Sequence, residues 1–135
     1  MGARIFTTVL VLAALLMAGP ARSSDDLVAR WYALLVKADG PGLASLLSDD
    51  ARINLNDLGV EQSKAEFIAT MDEWAEAVVG AAIRHRVETT VGDVTTVLAC
   101  YDFASNDMLI RETFTIRDGL IVDNTQTGVA ETCDL

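Results

Sequence analysis

The apolar pattern of this chain changes period at Gly80. Before it, hydrophobic residues recur every three to four positions. After it, Ile83, His85, Val87, Thr89 and Val91 alternate with Arg84, Arg86, Glu88 and Thr90. The first spacing belongs to a helix buried along one stripe, the second to a strand buried on one face. Gly92-Asp93 then makes a turn, followed by a strand from Val94 to Phe103 and a turn at Ser105-Asn106-Asp107. Met108 to Ile116, the turn Arg117-Asp118-Gly119 and Leu120 to Thr127 complete the pattern. Four strands with short connections predict an antiparallel meander. Helices first and sheet after predict one α+β domain, with the helices packed on one face of the sheet.

The helical part has its own punctuation. Ser24-Asp25-Asp26 opens a helix carrying Leu27, Trp31, Leu34 and Leu35, with Ser24 as its cap. Asp39-Gly40-Pro41-Gly42 stops it. A short helical turn over Leu43 to Leu47 and a strand over Ala51 to Leu55 follow, and Asn56 to Gln62 reads as a loop. Ser63-Lys64-Ala65-Glu66 is a capping box. It opens a helix with Phe67, Ile68, Met71, Trp74, Ala75 and Val78 on one face, running to Gly80.

The first 23 residues read differently. Arg4 precedes the uncharged run Ile5 to Ala18, and Gly19-Pro20-Ala21-Arg22-Ser23 follows. A basic start, a short apolar stretch and small residues are the layout of a cleaved secretory signal peptide. The run is shorter than the ~18–20 residues a membrane span needs. The expectation is a signal over 1–23 and a single mature domain over 24–135, secreted or periplasmic, without a membrane anchor. Its loss leaves eight basic side chains against twenty acidic ones, a net charge of −12. That charge repels nucleic acid, which demands a basic face. Cys100 and Cys133 are the two cysteines. An even count in an exported chain points to a disulfide, with two free thiols as the alternative.

Several segments resemble the nuclear transport factor 2-like superfamily, especially its SnoaL-like and ketosteroid-isomerase-like members. They are Arg30-Trp31-Tyr32-Ala33-Leu34-Leu35 with Leu43 to Ile53, and the hairpin Phe114-Thr115-Ile116-Arg117-Asp118-Gly119-Leu120-Ile121. The resemblance implies a cone: N-terminal helices packed on a bent antiparallel sheet, a pocket at the open end, and homodimers formed through the convex sheet face. Ketosteroid isomerases use a tyrosine on the first helix, where Trp31 and Tyr32 lie. Their catalytic aspartate falls on Leu55, and Glu112 is only roughly placed for their oxyanion-hole acid. Scytalone-dehydratase-like members use a histidine on the strand of His85, but their helical Tyr-Asp pair falls on Leu35-Val36. Neither constellation is complete.

Strand parity proposes what faces the pocket. A two-residue turn at Gly92-Asp93 pairs Val87 with Leu98, His85 with Cys100 and Ile83 with Asp102. A three-residue turn at Arg117-Asp118-Gly119 pairs Phe114 with Val122 and Glu112 with Asn124. The inward polar set is then His85, Asp102, Glu112 and Asn124, with Gln126. His85, the only histidine, is the candidate acid or base, or else a core histidine. Glu112 interrupts an apolar series, so it is either a functional carboxyl or one paired with a cation. Tyr32, Asp102, Phe114 and Asn124 are the candidate ligand contacts. Cys100 opposite His85 suits a nucleophile pair or a bridged cysteine equally. One histidine and no Cys-x-x-Cys or His-Glu-x-x-His predict no metal site. The absence of a Gly-rich phosphate loop predicts no nucleotide cofactor.

Three functions follow. The first is an exported domain holding a small, largely apolar molecule. The second is an isomerase, dehydratase or cyclase with His85 as acid–base. The third is a dimeric interaction module. The leader makes a direct prediction: N-terminal sequencing of the exported protein should begin at Arg22 or Ser24. A product retaining Met1 would contradict the leader.

Overall fold

The computed structural model describes residues 23–135. The leader, save Ser23, lies outside the described residues. Helix α1 (Ser24–Leu35) is capped by Ser23 rather than Ser24, its side chain accepting from Asp26 N–H at 3.2 Å. Cleavage after Ala21 keeps that cap and cleavage after Ser23 removes it. Its buried residues Leu27, Val28, Trp31, Tyr32 and Leu35 form one stripe. Helix α2 (Gly40–Leu46) starts on Asp39, which accepts from Gly42 N–H, with Pro41 in its first turn.

Strand β1 (Leu47–Leu55) starts earlier than the sequence pattern suggests. The segment read as a loop contains a 3-10 turn (Asn56–Leu58) and an edge strand, β2 (Val60–Ser63). β2 pairs antiparallel with β1, Arg52 opposite Ser63. The single long helix expected after Ser63 is two short ones, α3 (Lys64–Ala69) and α4 (Met71–Ala77). They meet at Thr70, whose hydroxyl donates to the Phe67 carbonyl at 2.6 Å, a bond that competes with the helix ladder. Ser63 caps α3, accepting from Glu66 N–H.

The meander follows as β3 (Ala82–Val91), β4 (Val94–Asp102), β5 (Asp107–Arg117) and β6 (Leu120–Ala130). The six strands order as β2-β1-β6-β5-β4-β3. The sheet is mixed rather than antiparallel, because β1 runs parallel to β6. A helical crossover separates β1 from the meander, so no hairpin dictates their relative direction.

Two bulges reset the faces. Between Val87 and Thr89 the β3–β4 register shifts, leaving Glu88 as the extra residue. His85 therefore lies opposite Ala99, Ile83 opposite Tyr101, and Arg84 opposite Cys100. The expected pairings His85–Cys100, Val87–Leu98 and Ile83–Asp102 are each off by one, so a His85–Cys100 pair does not form. Asp102 stands opposite exposed Ala82 and is itself exposed. It belongs to the face away from the helices, not to the inward set. The second turn has two residues, Asp118 and Gly119, at φ 52° and 74°, the left-handed pair that a tight hairpin prefers. A bulge at Val122 then places Asn124 opposite Phe114 and Gln126 opposite Glu112.

The core lies between the helices and the sheet. Trp31 stacks on Phe67 at 5.4 Å and meets Phe114 edge-on at 5.8 Å. On the other face, Cys100 and Cys133 form a disulfide packed against Leu98 and Leu109. The 3-10 turn is tied to the sheet. Gly128 N–H donates to the Asp57 carboxylate at 2.7 Å, and a Cβ at Gly128 would stand 2.6 Å from that oxygen.

Replacing both cysteines by serine should cost about 3–4 kcal/mol by the loop-entropy estimate. Denaturant unfolding checks this. A midpoint unchanged from the oxidised wild type would show that the bridge does not constrain the unfolded chain.

Candidate functional site

A cavity of about 520 Å³ opens between α3, α4 and the sheet. Leu35, Phe67, Met71 and Trp74 form apolar walls, with Leu58 and Met108 at the sides. Tyr101 and Gln126 are its polar wall on the sheet side, and Glu73, Thr70 and Gln62 supply the other polar groups. Phe67 comes from α3, and Met71 and Trp74, three apart, share one face of α4. Trp74 is fixed by its indole N–H, which donates to the Leu35 carbonyl at 2.7 Å.

Behind Tyr101 and Gln126 lies a buried polar network. Glu112 has no exposed surface. The Tyr101 hydroxyl donates to Glu112 Oε1, and Asn124 Nδ2 donates to Oε2 at 3.1 Å. Gln126 Nε2 donates to Asn124 Oδ1 at 3.0 Å. The Tyr32 hydroxyl is buried and finds no protein hydrogen-bond partner, yet it is near enough to feel the Glu112 charge. Burial disfavours the carboxylate and raises the Glu112 pKa to about 7, while the bonds from Tyr101 and Asn124 limit the rise. Burial first, then the Glu112 charge, pushes the Tyr32 and Tyr101 hydroxyls above the usual phenol range.

The sequence-predicted residues divide. Glu112 and Asn124 face inward and touch each other, but neither lines the cavity. Phe114 is core, packed on Trp31 and Tyr32. Tyr32 lies behind the cavity, stacked on His85 at 4.8 Å. His85 is half-buried and outside the cavity lining. Burial lowers its pKa, with Asp25 pulling it back up. Asp102 is on the outer face. Tyr101 is the residue sequence reasoning missed. The bulge at Glu88 on β3 sets Ile83 rather than Arg84 opposite it, and nothing in the alternation marks that bulge.

As chemistry, the carboxyl shares a hydrogen-bonded proton with the Tyr101 hydroxyl, and Tyr101 is part of the cavity wall. Among the described residues no cluster of histidine, cysteine or acidic groups could hold a metal ion, and no helix is long and apolar enough to cross a membrane.

No protein-family model and no curated protein matches the chain. Solved structures do. A nuclear transport factor 2-like protein of unknown function from Burkholderia xenovorans LB400 superposes with a TM-score of 0.68 at 12% identity, over 82% of this chain and 85% of that one. This chain has the nuclear transport factor 2-like fold. A hypothetical protein of ketosteroid isomerase-like fold from Catenulispora acidiphila DSM 44928, in complex with trimethylamine, gives 0.68 at 12% identity over 78% and 86%. A candidate polyketide cyclase from Streptomyces antibioticus gives 0.63 at 18% identity over 77% and 90%.

Glu112 makes stability depend on pH. Its folded pKa lies above the ordinary 4.5, so folding favours the protonated form. That contribution is whole below pH 4.5 and is lost as pH rises through about 7. It amounts to roughly 3 kcal/mol at most. His85 works in the opposite sense and is common to both proteins compared. Glu112→Gln should therefore gain stability relative to wild type between pH 5 and pH 8, measured by denaturant unfolding. A constant difference across that range would contradict the shift.

Proposed function

We propose that this is an exported binding domain that holds a small, largely apolar molecule in the cavity without transforming it. One observation carries the reading. The cavity walls are apolar, and the polar side chains on its sheet side, Tyr101 and Gln126, already bond inward to Glu112 and Asn124. Such a site orients one polar group of a ligand amid apolar contacts. Its volume suits a molecule of one or two rings. Export is part of the proposal: the basic–apolar–small leader and the Cys100–Cys133 bridge support it.

A second reading has its own support. A carboxyl with a pKa near 7, linked to the cavity by a tyrosine, suits proton transfer at neutral pH. An isomerase- or cyclase-type reaction would then use Glu112 through Tyr101. The acid–base role expected of His85 lacks this support, because its ring stacks on Tyr32 outside the cavity.

Calorimetric titration with neutral and cationic aromatic probes of one or two rings tests the binding reading. At least one should bind saturably to wild type, and at least tenfold more weakly to Ala77→Trp, which fills the cavity from an exposed wall position. No saturable binding, or binding indifferent to that substitution, counts against the reading. Conversion of a bound probe that disappears in Glu112→Gln would favour the enzyme.

A further inference from the structure

We infer that the molecule the cavity takes is a cation, a substituted ammonium with apolar substituents. This deepens the binding reading and rests on it. The argument is an account of what the walls can offer.

Donors are scarce. The Trp74 indole N–H is bonded to the Leu35 carbonyl and the Thr70 hydroxyl to the Phe67 carbonyl. The Tyr101 hydroxyl is bonded to Glu112 and one Gln126 amide N–H to Asn124, which leaves the neutral amide N–H groups of Gln62 and Gln126. Among the described lining residues there is no lysine, arginine or histidine. A carboxylate or phosphate entering here would lose its hydration and find only neutral amide donors and no cation to replace it.

Acceptors and π-faces are present instead. Phe67, Trp74 and Tyr101 line one cavity, with Trp74 and Tyr101 centred 6.3 Å apart at 75° to each other. Aromatic faces carry negative potential and attract cations, most strongly tryptophan. The thioethers of Met71 and Met108 add soft, polarizable surface. Glu73 is the one charged lining residue and its charge is negative. Behind Tyr101, the Glu112 carboxyl presents a second site of negative charge whenever it ionises. A neutral hydrocarbon would use the walls and leave the carboxylate unanswered. A substituted ammonium uses both: its carbon substituents meet the walls and its charge meets the rings and Glu73. The net charge of the whole chain, −10, adds long-range attraction of the same sign.

A pair of probes matched in shape separates charge from size: (4-hydroxyphenyl)trimethylammonium and 4-tert-butylphenol. Titrated calorimetrically into the oxidised domain at low ionic strength, the ammonium should bind at least tenfold more tightly. Its affinity should fall with added salt. Glu73→Gln, an exposed substitution that spares the core, should weaken the ammonium about threefold and leave the phenol unchanged. Equal or tighter binding of the phenol overturns the cation inference and leaves the binding reading standing. Ammonium affinity indifferent to Glu73→Gln and to salt likewise overturns it. Binding of neither probe overturns both.

Discussion

A carboxyl without water has to be held by something, and in this fold it is held by three strands at once. Glu112 stands on β5, its Tyr101 donor on β4, and its Asn124 donor on β6. A buried carboxyl with one donor missing costs several times what a satisfied one does. The network therefore fixes the register of the central strands more tightly than apolar packing, which tolerates small slips. It also decides which residues are left for the cavity. Tyr101 and Gln126 are turned so that their inner ends serve the network and their outer ends line the open space. Site and core share one set of hydrogen bonds.

The helices do the complementary work. Trp31, on α1, packs against Phe67 of α3 and Phe114 of β5, backing the cavity wall that Phe67 forms. The helix breaks at Thr70, and α3 and α4 both line the cavity, through Phe67 and through Met71 and Trp74.

What the sequence made legible follows from how each feature is encoded. The period change at Gly80, the capping box at Ser63 and the turns at Gly92-Asp93 and Asp118-Gly119 are local signals. They place the helical half and the four-strand meander. The inward setting of Glu112 and Asn124 is also readable, because a polar residue in an apolar alternation stands out. The failures are non-local or single-residue events. The bulge at Glu88 inserts one residue without changing the hydrophobic pattern, yet it sets Ile83 opposite Tyr101 instead of Asp102. Edge strand β2 carries Glu61 and Gln62, with little apolar alternation to betray it, and exists because β1 offers it hydrogen bonds. The parallel pairing of β1 with β6 is set by tertiary closure alone. The candidate ligand contacts depended on parity across these same bulges. Hence the carboxyl was legible and the tyrosine that links it to the cavity was not.

The contact between Asp57 and Gly128 bears on how such a cavity meets its contents. Asp57 belongs to the turn that carries Leu58, a side of the cavity, while Gly128 lies two residues from Gln126 on β6. A side chain at position 128 would displace the Asp57 carboxylate and break this tie. The bond ties the turn that flanks the cavity to the strand that forms its sheet wall, so the two move together. For the binding proposed above, a wall tied in this way is organised before a guest arrives, which lowers the ordering cost of binding.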